Sequence, residues 1–149
     1  MPRLKDNISD IDIIKEAARI AAEGICVTLP VAGRSMLPFI IGGKESVILC
    51  KALPPRRGDI VLAWVENRRY VIHRILDIKG DKVTLMGDGN IHGREYCRKE
   101  DIIALATHYV GTDGKACNLY TPWRKAASRL WLLLLPVRRY LLFIYRIFS

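Results

Sequence analysis

The chain has 149 residues, half of them hydrophobic, four cysteines and a formal net charge of +9. That length suits one domain with a core of its own, which needs neither a disulfide framework nor a structural metal. The cysteines stand at 26, 50, 97 and 117, without the close spacing of a zinc or dithiol site, and are read as reduced and mostly packed. Six basic residues and no acidic one fall within 121–149, so the positive charge belongs mainly to the tail. The same tail carries clusters of Leu, Trp and Tyr, which favours an anionic membrane surface over nucleic acid as a partner.

In chain order, the opening MPRLKDNISD lacks the apolar stretch of a secretory signal. Nothing before Ser35 is long enough to span a bilayer, so this part is expected to be soluble or peripheral. Ser9 with Asp12 three residues on resembles a capping box. Ile11, Ile14, Ala18, Ala22 and Ile25 recur at helical spacing up to a stop at Gly24. An amphipathic helix is predicted over 10–23, within an N-terminal helical segment 1–25.

The texture from 26 to 120 is β: segments 26–32, 46–50, 59–65, 69–78, 82–86, 102–110 and 116–120 are short, rich in Val, Ile and Leu, and separated by turn residues. Lys79-Gly80-Asp81 reads as a tight turn, and the hairpin it closes is expected to bring His73 toward Asp88. From Thr121-Pro122 the texture changes to a helical tail, 121–149. Its longest uncharged apolar run, 130–137, is short and is followed by Arg138-Arg139. Arginines near the centre of a span cost roughly 2.5 to 3.5 kcal/mol each, so a simple transmembrane helix is disfavoured. The six basic positions share about half of a helical wheel, and Pro136 is expected to break the helix. Two basic, aromatic-rich helical pieces in a membrane interface are the expectation, with a re-entrant or spanning segment and helices that cover the domain or a partner protein as the alternatives.

The chemistry-bearing residues sit in the β region. Gly33-Arg34-Ser35-Met36-Leu37-Pro38 seats a serine between a glycine and a proline, and a serine nucleophile needs a base and a group to orient that base. Tyr70-Val71-Ile72-His73-Arg74 and Met86-Gly87-Asp88-Gly89-Asn90 supply candidates for both. Any one of these residues alone is an ordinary turn or strand residue. His92 and His108 stand apart from any Cys or carboxylate cluster and are read as non-ligands, so neither metal nor organic cofactor is expected.

Four boxes, Ser35-Met36-x-Pro38, Arg57-Gly58-Asp59-Ile60-Val61, His73-Arg74 and Gly87-Asp88-Gly89-Asn90, together resemble the signal peptidase I and LexA-type serine peptidase superfamily over roughly 31–106. The histidine in the third box is similar to the endoplasmic-reticulum and archaeal type of signal peptidase, where bacterial-type enzymes carry a lysine. The resemblance implies a mainly β fold of short strands, flanked here by the N-terminal helix and the basic helical tail. It implies a membrane-associated serine endopeptidase that cleaves a signal or leader peptide through an acyl-enzyme. Ser35 would be nucleophile, His73 base and Asp88 the orienting acid, with the Ser35 backbone N–H as first oxyanion donor and Met36 and Leu37 lining the cleft or merely packing. Two departures are plain. Gly33 stands where many family members carry a hydroxyl oxyanion donor. Gly93 and Arg94 stand where the histidine type often has further aspartates, which favours Asp88 as the acid and leaves Glu95 as a less favoured stand-in. The expected partners are a peptide or preprotein and an anionic membrane, with the protein peripheral on the cytoplasmic face. A LexA-like self-cleaving or regulatory module and a non-catalytic membrane adaptor are the competing readings.

Overall fold

Alanine and isoleucine at positions 14, 17, 18 and 21 make one apolar stripe, and Asp10–Ala22 forms helix α1 around it. The computed structural model describes residues 10–31, 36, 39–40, 44–51, 54–66, 69–90 and 93–148; Ser9 and its cap fall outside them.

The β-branched runs become β1 (Val27–Pro30), β2 (Ser46–Lys51), β3 (Ile60–Val65), β4 (Arg69–Lys79), β5 (Lys82–Met86), β6 (Glu95–Arg98), β7 (Ile102–Val110) and β8 (Ala116–Asn118). All pair antiparallel in one curled sheet, in the order β1-β2-β7-β3-β4-β5-β6, with β8 on β7. The molecule is mainly β with helices at both ends, as the sequence implies. Lys79 pairs with Lys82, so Gly80-Asp81 is a two-residue turn, and Gly80 takes the positive φ of 58° that such a turn favours.

Successive residues of a strand point to opposite faces, and the sheet packs on both. On one face Val61, Ala63, Val65, Val71, Ile75, Val83, Leu85 and Cys97 are buried together. On the other, Ile60, Leu62, Val47, Leu49, Ala104 and Ala106 meet Met36, Ile40 and the alanines of α1. Each fully buried Val, Leu, Ile or Met side chain among these contributes about 1.5 to 3 kcal/mol.

Two expectations are corrected. Strand β6 was not read from the sequence, because Glu95, Tyr96, Cys97 and Arg98 show no apolar run; the alternation is there, with Glu95 and Cys97 inward. The cysteines are not all reduced: Cys26 and Cys50 form a disulfide, whereas Cys97 and Cys117 are free. Their separation of 24 residues hid the pair. The register Val27 opposite Leu49 sets the two sulfurs on neighbouring positions of adjacent strands.

The tail folds as α2 (Pro122–Leu133), a short 3₁₀ turn over Leu135–Val137 and α3 (Arg138–Phe148). Proline at the first position of α2 suits a helix start, and Pro136 falls in the break between the helices. Among the described residues no helix is long and apolar enough to cross a membrane.

Burial pushes the Cys97 thiol up to about 11, so at mildly alkaline pH it stays protonated and unreactive, while Cys117 is exposed. Iodoacetamide applied to the native, unreduced protein is expected to modify Cys117 alone, with all four cysteines labelled after reduction and unfolding; mass spectrometry showing more than one native adduct would contradict this.

Candidate active site

The third box places two neighbouring side chains on opposite faces of β4. Arg74 pairs across the hairpin with Met86, so Asp88, two residues further, lies on the Arg74 side. His73 shares its face with Ile75, which pairs with Leu85, which in turn pairs with Glu95 of β6. Strand parity thus directs Arg74 to Asp88 and His73 to Glu95.

The side chains bear this out in distance. Arg74 Nε and Nη2 donate to Asp88 Oδ1 and Oδ2 at 2.8 and 2.7 Å, a buried bidentate pair. Burial alone would lower the Arg74 pKa, but the attraction and hydrogen bonds of Asp88 outweigh it and hold the guanidinium above its usual range. Arg74 Nη1 donates to the carbonyl of Gly58 at 2.9 Å, and the guanidinium lies 5.1 Å from the Phe39 ring centroid. Gly58 can offer that carbonyl because it adopts φ of 91°, in a turn whose own N–H bonds Ile75. Asp59 accepts the Arg56 N–H at 2.9 Å and lends its carbonyl to Ile75; burial raises its pKa. Its role is to shape the turn of the second box.

On the other face, His73 Nδ1 lies 3.0 Å from Glu95 Oε1, with both side chains almost wholly buried. The approach is close but not aligned: Nδ1 and Glu95 Oε2 have no properly angled hydrogen bond among the described residues. Arg69, half exposed at the start of β4, reaches the same Oε1 at 3.4 Å.

Of the residues singled out by sequence, Ser35 and Leu37 lie outside the described residues, as do Gly33, Pro38 and His92. Met36 is 1% exposed and packs in the cluster beneath α1. Asp88, expected to orient His73, gives both carboxylate oxygens to Arg74 instead, and Glu95 is the acid beside the imidazole. His108 Nδ1 lies 2.9 Å from the Thr107 hydroxyl. Arg69, four residues before His73 on the same face of β4, carries no motif that marks it in the sequence. The signal for Glu95 lies in the Gly93 turn followed by inward-outward alternation, where the inward residue is an acid rather than an aliphatic.

The tail closes over the fourth box. Trp131 Nε1 donates to the Asp88 carbonyl at 2.8 Å, and Arg138 Nη1 reaches the carbonyls of Gly87 and Asn90 at 3.4 and 3.2 Å. Arg124 donates to the Phe39 carbonyl, and Phe39 meets Trp131 edge to face.

No protein-family model matches the chain, and no curated protein matches it. The four boxes and this geometry are therefore the ground for any functional reading.

Removing one partner of a buried ion pair strands the other charge and costs about 3 to 5 kcal/mol. Asp88→Asn is expected to destabilise the protein by about that much, as urea unfolding would measure. Glu95→Gln should cost clearly less, because Arg69 can turn to water; equal losses would place the structural load elsewhere.

Proposed function

We propose that the protein is a serine endopeptidase of signal-peptidase type, with Ser35 as nucleophile, His73 as general base and Glu95, rather than Asp88, as the acid that orients the base. The observation that carries this reading is the buried approach of Glu95 to His73 Nδ1, in a chain whose other boxes follow the family's order. With a proton on Nδ1 beside Glu95, Nε2 is the basic nitrogen. It accepts the Ser35 hydroxyl proton as Oγ attacks the scissile carbonyl, and the imidazolium so formed is stabilised by Glu95. The tetrahedral oxyanion is held by the Ser35 backbone N–H. Collapse breaks the C–N bond, and His73 returns its proton to the leaving amine. Water then attacks the acyl-enzyme by the same route and frees the acid product and Ser35.

An extended peptide or preprotein segment suits this fold as substrate, added to a strand edge with small residues before the cut. Among the described strands β1 pairs only with β2, and its chain runs on through Val31 toward Ser35. The reading assigns no metal or organic cofactor to the reaction, and it sets the protein peripherally on a membrane, on the cytoplasmic face.

A fluorophosphonate probe is expected to label Ser35 in the wild type and not in Ser35→Ala. His73→Ala and Glu95→Gln should slow labelling by about 10² to 10⁴, the range seen when a triad's base or orienter is lost, with folding unchanged by circular dichroism. Labelling that persists in Ser35→Ala would falsify the assignment. Full-rate labelling in a folded Glu95→Gln would remove Glu95 from the triad.

A further inference from the structure

Among the described residues, most of the exposed large apolar side chains gather on the two C-terminal helices, Trp123, Leu130 and Leu133 of α2 and Tyr140, Phe143, Ile144, Ile147 and Phe148 of α3, whereas Ile13, Ile25 and Tyr96 are scattered elsewhere. Their placement is not the leftover of a poorly buried tail, because each helix has a definite inward side. In α2 that side is Arg124, Ser128 and Trp131, bound to Phe39, to the helix's own backbone and to the Asp88 carbonyl. In α3 it is Arg138 and Leu142, 1% and 2% exposed. At about 100° per residue, Leu130 and Leu133 lie on the side of α2 away from Trp131 and Ser128, and Tyr140 and Ile147 lie roughly opposite Arg138. An amphipathic helix normally buries its apolar side. Here the helices are held to the domain through the polar contacts of Arg124, Trp131 and Arg138 together with Leu142 and the Phe39–Trp131 ring contact, and most of their large apolar side chains face outward.

Charge selects the occupant. Two of the tail's six basic residues, Arg124 and Arg138, are spent on the domain. The other four, Lys125, Arg129, Arg139 and Arg146, are exposed beside the apolar residues, and the tail holds no acidic residue. Aromatic and aliphatic side chains flanked only by cations match an anionic lipid headgroup layer over acyl chains. A second copy of the same surface would set cation against cation.

We infer that the outward faces of α2 and α3 dock the protein on an anionic bilayer while their inward faces stay bound to the Gly87–Asn90 loop. The tail is then a fixed platform rather than a tether, and it holds the fourth box at a set position against the membrane. The docking stands independently of the proposed peptidase activity; only the meaning of the held loop rests on that reading.

The chain 1–149 is expected to float with vesicles of mixed phosphatidylcholine and phosphatidylglycerol, and about tenfold less with phosphatidylcholine alone or at high salt. Phe143→Glu combined with Ile147→Glu, both at exposed positions, should abolish flotation. Brominated acyl chains should quench tryptophan fluorescence of the wild type, and Trp123→Phe should remove most of that quenching, because Trp131 stays against the Asp88 carbonyl and Trp64 stays in β3 against Tyr70. Flotation indifferent to lipid charge and salt would overturn the inference. So would quenching that survives in Trp123→Phe, which means the tail has left the domain, or a vesicle-free dimer in sedimentation that the double glutamate variant dissociates. None of these readouts depends on Ser35 chemistry, so their failure is separable from failure of fluorophosphonate labelling.

Discussion

The Arg74–Asp88 ion pair is the contact on which the arrangement of the site depends. Arg74 binds the fourth box through Asp88 and the second through the Gly58 carbonyl, and it stacks on Phe39, which follows the first box. Three chain segments far apart in sequence are thereby fixed to one side chain of the third. Such a pair is weak evidence of net stability, since desolvating two charges costs much of what their attraction returns. What it supplies is register: a planar guanidinium with fixed donor directions accepts only one arrangement of its partners. Hydrophobic packing alone would let the Gly58 and Asp88 turns settle in several nearly equivalent ways.

Strand parity explains how adjacent residues of one box hold separate tasks. His73 and Arg74 cannot serve the same partner, because β4 turns them to opposite faces of the sheet. Once Arg74 takes Asp88, the acid available to His73 must come from a strand whose inward residues share the histidine's face. β6 is that strand, and Glu95 is its inward acid. Arg69, two turns of the pleat earlier on the same face, meets the same oxygen.

Most of the architecture was legible in the sequence, because β-branched runs between turn residues and a basic tail after Pro122 are direct consequences of local preference. The hairpin at Gly80-Asp81 was legible for the same reason. Its consequence was not: counting back from the two-residue turn sets His73 opposite Asp88, but a bulge between Ile75 and Asp77 shifts the pairing by one and puts Arg74 on the Asp88 side instead. β6 escaped because a four-residue strand with an inward glutamate carries no apolar signal. The Cys26–Cys50 bond escaped because pairing between strands depends on tertiary register, not on spacing along the chain.

The tail shows how far charge counting alone can mislead. Six basic residues near the chain's end suggest a uniformly cationic appendage, yet Arg124 and Arg138 act as donors to backbone carbonyls of the domain. Burial lowers the pKa of Arg138; Asp88 offsets part of that and Arg74 adds to it. Asp88 thus lies within the field of two buried guanidinium groups, one from the sheet and one from α3. Its side chain fixes Arg74 of the third box, which in turn holds the Gly58 carbonyl of the second, and its carbonyl fixes Trp131. A single acid turn therefore joins the β domain to its helical tail, and the tail becomes part of the site's framework instead of an attachment to it.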